Sequence, residues 1–140
     1  MGIGIDFVDV GMVSDAIKTF GKRYLQRVFT PSEMSHYRSG PDGTRQLAAH
    51  FAAKEAVLKA LAISGQRPRW TSIELLHDAP SGVYLHLSGD AANLAAARSI
   101  TQLRVSIGYT SRLATATVIA TANPAVADEV QKEARERHPG

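Results

Sequence analysis

Residues Leu47 to Ala60 read LAAHFAAKEAVLKA, and the rest of the chain is read outward from this stretch. It is rich in Ala, Leu, Lys and Glu, holds neither Gly nor Pro, and so predicts a helix. At about 100° per residue, Ala48, Phe51, Ala52, Leu58 and Ala62 fall on one side. Glu55 falls in the middle of that side, between Phe51 at i−4 and Leu58 at i+3. A carboxylate on a face that should be buried is costly unless it is paired or bound to a cation. Lys59 stands at i+4, in the favoured Glu-before-Lys order. The two are either a structural ion pair at the edge of a core helix or part of a site. The helix is expected to end near Ser64-Gly65, with Gly65 suited to the position just past the cap.

Upstream, Ile3, Ile5 and Phe7 alternate with Gly4, Asp6 and Val8, which predicts a strand with Asp6 on the face opposite the isoleucines. Asp6 is either a turn or cap residue or a functional acid. Met12 to Phe20 has the apolar spacing of a first helix. Lys18, Lys22, Arg23 and Arg27 follow, with no acid between Lys18 and Arg27. They form either a solvated face or a landing surface for an acidic protein. Thr30-Pro31-Ser32-Glu33 is a helix start with a capping box, and Ser39 to Gly43 reads as a loop.

Downstream, Gln66 to Arg69 reads as a loop. Thr71–Leu76 and Gly82–Ser88 read as strands joined by the turn Asp78 to Gly82. Asp90 to Ser99 is a short Ala-rich helix. Leu103–Thr110 and Ala114–Ala120 are strands around the turn Ser111-Arg112. The order strand, three helices, two strands, helix, two strands predicts one α+β domain over residues 1–122, a mainly antiparallel sheet packed with helices. Residues 123–140 are polar and charge-mixed, either a short helix or a disordered tail.

Composition narrows the partners. The chain of 140 residues suits one domain with a real core. Its net charge of +3 favours an anionic partner without specifying one. The absence of cysteine excludes disulfides and thiol chemistry and fits a reducing cytoplasm. Asp6 and Asp9 interrupt the apolar N-terminus, so no signal peptide is expected, and no apolar run approaches the roughly 20 residues of a membrane span. The histidines at 36, 50, 77, 86 and 138 have no zinc-ligand spacing, and GIGID lacks the dinucleotide-binding spacing. No Walker loop or GxSxG elbow occurs. The single Trp offers no aromatic platform for nucleic acid.

Five segments in order resemble holo-acyl-carrier-protein synthases, the small type of 4′-phosphopantetheinyl transferase. They are GIGIDFV, VFTPSE, FAAKEAVLKAL, WTSIEL and the closing RVSIGYT…ATATVIA. The most diagnostic is FAAKEAVLKAL, with its acid and lysine four residues apart. FTPSEMSHYRSGPDG also resembles the transferase domain at the end of fungal type I fatty-acid synthases. The resemblance implies a 4′-phosphopantetheinyl transferase-like fold and transfer of the phosphopantetheine arm of coenzyme A to a serine of an acyl carrier protein, as in fatty acid biosynthesis. The other product is adenosine 3′,5′-bisphosphate.

By that resemblance Asp6 and Glu55 are Mg²⁺ ligands. Glu55 also positions or deprotonates the attacking serine, directly or through a metal-bound water. Lys59 holds the leaving phosphate. Lys18, Lys22, Arg23 and Arg27 lie where the family docks its acidic carrier protein. His50, Lys59, Ser106, Tyr109 and Thr110 fall at coenzyme A-binding positions. Family members of this size are homotrimers with sites shared between subunits.

The chain departs from the family on the coenzyme A side. Gly108 and Tyr109 replace a serine and a histidine of the closing strand, and His50 replaces an arginine. Ala62-Ile63-Ser64-Gly65 alters the glycine-bearing loop. Tyr109 either donates to a phosphate or packs with Val105 and Ile107. The rival reading is a non-catalytic carrier-protein-binding relative whose coenzyme A site has decayed.

Overall fold

The computed structural model describes residues 1–78, 82–122, 132–133 and 135–137. The turn expected at Asp78–Gly82 falls mostly outside the described residues. Of the C-terminal segment, only 132–133 and 135–137 are described, and these are helical.

The chain runs β1 (Gly2–Asp9), α1 (Val10–Phe20), α2 (Lys22–Val28), α3 (Pro31–Met34) and α4 (Pro41–Ala60). It continues through a 3₁₀ turn (Trp70–Ser72), β2 (Ile73–Asp78), β3 (Gly82–Leu87), α5 (Gly89–Ala97), β4 (Gln102–Tyr109) and β5 (Leu113–Thr121). One antiparallel sheet has the order β1-β5-β4, and β2 and β3 form a separate antiparallel pair. The α+β expectation therefore holds, with four helices rather than three before β2. The extra one is α2, a basic heptapeptide that gives little helical signal by itself. It restarts the helix after Gly21, whose φ of 56° ends α1.

Helix α4 organises the molecule. It begins at Pro41, inside the segment expected to be a loop, because proline fits the first turn of a helix. It ends earlier than expected, at Ala60, with Leu61 as its cap. Ala62 takes the left-handed conformation (φ 52°), and Ile63 N–H donates to Leu58 O at 3.0 Å, closing a Schellman-type end without Gly65.

The helix is enclosed on most sides, not along one stripe: Ala48, Ala49, Ala52, Ala53, Ala56 and Val57 are fully buried. Small side chains let β1 come close. A Cβ on Gly4 would lie 1.9 Å from Ala56 O, so the glycines of GIGID serve backbone packing. Gly4→Ala is accordingly expected to lose about 1–3 kcal/mol or more, because backbone has to move. Urea unfolding measures this, and an unchanged midpoint would remove the close-packing account.

Register sorts the sheet into two faces. Asp6, Ala116 and Ile107 lie in one row on the face toward α4. Ile5, Thr117 and Ser106 lie in a row on the other face. That outer face is apolar and open: Ile3, Ile5 and Phe7 are 57, 50 and 63% exposed. The N-terminal strand thus has Asp6 opposite the isoleucines, as the alternation predicts. The cap role suited to an acid near a strand end falls to Asp9, which accepts from Gly11 N–H at 2.7 Å.

Candidate active site

Asp6 reaches the site because β1 is extended and pinned edge-on to β5, turning its odd-numbered side chains outward and Asp6 inward. Glu55 and Lys59 reach it from the last turns of α4. The expected i,i+4 pair between them is replaced by pairs across elements. Lys59 Nζ donates to Asp6 Oδ1 at 2.5 Å and to Ile5 O at 3.2 Å. Glu55 Oε2 lies 3.7 Å from Arg67 Nη1, at the weak end of an ion pair. Burial, and then the charge of Asp6, push the Glu55 carboxyl above the usual carboxylate range, against the pull of Arg67 and Lys59. Two acids from distant parts of the chain therefore face one another beside one lysine.

These two acids suit a hard cation. Oxygen donors are the right chemistry, and a divalent ion would relieve the repulsion that raises Glu55. No group of three or more metal-ligating side chains is assembled among the described residues. One or two carboxylates, with the remaining positions left to substrate phosphate and water, is how Mg²⁺ is commonly held.

The other expected residues lie elsewhere. His50 is buried nine positions before Lys59, roughly 13 Å away along the helix axis. It shares the wall of a cavity of about 740 Å³ with Tyr109. Ser106 lies on the outer sheet face, in the row of Ile5. Thr110 sits in the β4–β5 turn, where its Oγ1 accepts from Leu113 N–H at 3.1 Å. With Lys59 beside Asp6, the residues matched to coenzyme A thus occupy four places within one chain. Lys18, Lys22, Arg23 and Arg27 are exposed around the α1–α2 joint and have no ion-pair partner among the described residues. Met12 and Phe20, 70 and 61% exposed, stand on the same helix as Lys18.

A buried polar hub went unread in the sequence. Glu33 closes the expected capping box with Thr30, and it also accepts from His50 Nδ1–H at 2.8 Å and from Lys54 Nζ at 2.7 Å. Lys54 is fully buried and donates further to Trp70 O (3.0 Å) and to Ile73 O. Burial opposes ionisation of Glu33, yet His50, Lys54 and the Thr30 amide together hold its carboxyl below the usual range. Burial likewise pulls the Lys54 amine down, against Glu33 and Glu74. The hub ties α3, α4 and the start of β2 together. The available signal was spacing: Leu47, His50, Lys54, Val57 and Leu61 form a helical stripe in which only His50 and Lys54 are polar.

Comparison with known proteins places these residues in a family. Residues 2–118 match the family model described as 4′-phosphopantetheinyl transferase superfamily. The chain is 39% identical over 131 residues to a holo-[acyl-carrier-protein] synthase of Paramagnetospirillum magneticum, covering 89% of this chain and 98% of that one. It is 39% identical over 130 residues to the enzyme of the same name from Chloroflexus aurantiacus, covering 84% and 95%. Among solved structures, it resembles holo-[acyl-carrier-protein] synthase of Helicobacter pylori in complex with coenzyme A. The TM-score is 0.73 at 28% identity, covering 85% of this chain and 99% of that one. The Neisseria meningitidis enzyme gives a TM-score of 0.74 at 29% identity, covering 86% and 97%.

Proposed function

Because the chain belongs to the 4′-phosphopantetheinyl transferase superfamily, we propose that it transfers 4′-phosphopantetheine from coenzyme A to a serine of an acyl carrier protein. The observation that carries this reading is the convergence of Asp6, Glu55 and Lys59 from β1 and α4. The reaction fits these groups. The serine oxygen bonds to the β-phosphorus of the pyrophosphate, and the bond from that phosphorus to the bridging oxygen breaks. Adenosine 3′,5′-bisphosphate leaves with the electron pair. The serine proton passes to Glu55, whose raised carboxyl is a better base than an ordinary surface acid. Lys59 meets the charge that develops on the departing phosphate. Asp6 and Glu55 are the residues that would hold Mg²⁺, which when bound neutralises the pyrophosphate.

The remaining features support the setting. The open apolar face of β1 and β5, and the spread of the coenzyme A-matched residues over four places, favour a homotrimer whose sites are completed between subunits. No helix among the described residues is long and apolar enough to cross a membrane, and a cytoplasmic location suits a cysteine-free chain acting on coenzyme A. The exposed basic residues around the α1–α2 joint suit an acidic carrier protein, with Met12 and Phe20 as apolar contacts.

Reversing charge at Arg23 and Arg27 together is expected to raise the apparent KM for the carrier roughly 10-fold at low salt, with less effect at high salt. An unchanged KM at low salt would remove the docking assignment. One observation favours the rival, binding-only reading: both ring nitrogens of His50 are already engaged within the chain. Chromatography distinguishes the two. Release of adenosine 3′,5′-bisphosphate that depends on apo carrier protein supports transfer, and carrier binding without release supports the rival.

A further inference from the structure

Arg67 lies outside all five segments that resemble the family, yet the fold brings it to one of the two acids. After α4 the chain turns back through Ala62 and Gly65, whose φ angles are 52° and 85°. Arg67 thereby returns to Glu55 from twelve positions further along the sequence. Its neighbour Pro68 is buried and anchors the backbone there, while the Arg67 side chain is 61% exposed and keeps room to move. The contact with Glu55, at 3.7 Å, is a loose one that costs little to give up.

Four charges therefore stand in two pairs, Lys59 with Asp6 and Arg67 with Glu55. A divalent cation held by the two acids would meet both basic side chains at short range, where like charges repel most. Lys59 is tied down further by Ile5 O, whereas the Arg67 side chain has no second partner among the described residues. Another acid is close to it. Arg67 lines a cavity of about 370 Å³ together with Asp90 and Asn93. Asp90 stands exposed in the first turn of α5, and its side chain has no partner among the described residues.

We propose that Arg67 is a movable counter-ion of the site, which holds Glu55 while no metal is bound and passes to Asp90 when a divalent cation takes its place. The inference rests on the reading of Asp6 and Glu55 as metal ligands, and it adds a residue that sets how tightly they bind. Arg67 competes with the cation for Glu55, and Asp90 lowers the cost of its departure. Affinity for the metal is thus set by the loop after α4 and the start of α5 as well as by the two acids.

The test is titration of the substrate-free protein with Mn²⁺, which suits the same oxygen ligands as Mg²⁺ and is counted in its free form by electron paramagnetic resonance. Wild type is compared with Arg67→Gln, Asp90→Asn, the double variant and Glu55→Gln. Arg67 and Asp90 are both exposed, so their substitution leaves the core untouched. Arg67→Gln is expected to bind Mn²⁺ roughly 3- to 10-fold more tightly than wild type. Asp90→Asn is expected to bind it roughly 2-fold more weakly, an effect that disappears when Arg67→Gln is also present. Equal affinities for wild type and Arg67→Gln, both weakened by Glu55→Gln, would overturn the counter-ion role alone. An Asp90→Asn effect that persists in the double variant would overturn the transfer of Arg67 to Asp90, since Asp90 would then act on the cation by its own field. Affinity that Glu55→Gln leaves unchanged, or no binding by any of the proteins, would overturn the inference together with the metal reading beneath it.

Discussion

Glu55→Gln is expected to slow phosphopantetheine transfer by about 10²–10⁴-fold, the range for removing a general base, while the fold stays intact. The two effects separate for a physical reason. The Glu55 carboxyl is raised in the folded protein by burial and by Asp6, so its ionised form at neutral pH opposes folding slightly. Its ion pair with Arg67 at 3.7 Å is too long and too exposed to offset much of that. An isosteric amide relieves the repulsion, so the melting temperature should hold or rise. Steady-state transfer kinetics and a thermal melt on the same sample check both halves. Full activity would remove Glu55 from the chemistry, and a large drop in melting temperature would recast it as structural.

Lys54→Met is expected to destabilise the protein by about 3–5 kcal/mol, because it strands a buried carboxylate. Lys54 is fully buried and joins Glu33, Trp70 O and Ile73 O, so its loss leaves three acceptors short of a donor. The Glu33 side chain has no contact with solvent to make good the loss. Urea unfolding of the single variant and of Lys54→Met with Glu33→Gln separates causes. The double variant should recover part of the loss, since the stranded charge is then gone. A single-variant loss below about 1 kcal/mol would mean that the hub is no more than an ordinary surface pair.

Much of the fold was legible because its signals are local. Alternation marked β1, β4 and β5, and composition marked α4. Thr30 and Glu33 announced their capping box at the spacing that such a box requires. What failed was set by tertiary packing. Helix α4 is enclosed on most sides, so the single apolar face drawn through Phe51, Glu55 and Leu58 was too narrow, and the fully buried Lys54 next to Glu55 passed unread. Lys59 was paired with its sequence neighbour, whereas the fold gives it the aspartate of β1. His77 carries no pattern of its own, and only the packing of β2 against α4 brings it to His50. Only resemblance joins Asp6 to Glu55 in the sequence, because nothing local to either segment says that β1 lies along α4.

Intact-mass spectrometry of an apo acyl carrier protein, incubated with this protein, coenzyme A and Mg²⁺, tests the central claim most directly. The carrier should gain one phosphopantetheine, a gain lost when EDTA replaces Mg²⁺ and slowed about 10²–10⁴-fold with Glu55→Gln. No gain across several carrier proteins, with carrier binding retained, would contradict it and leave a binding protein in its place.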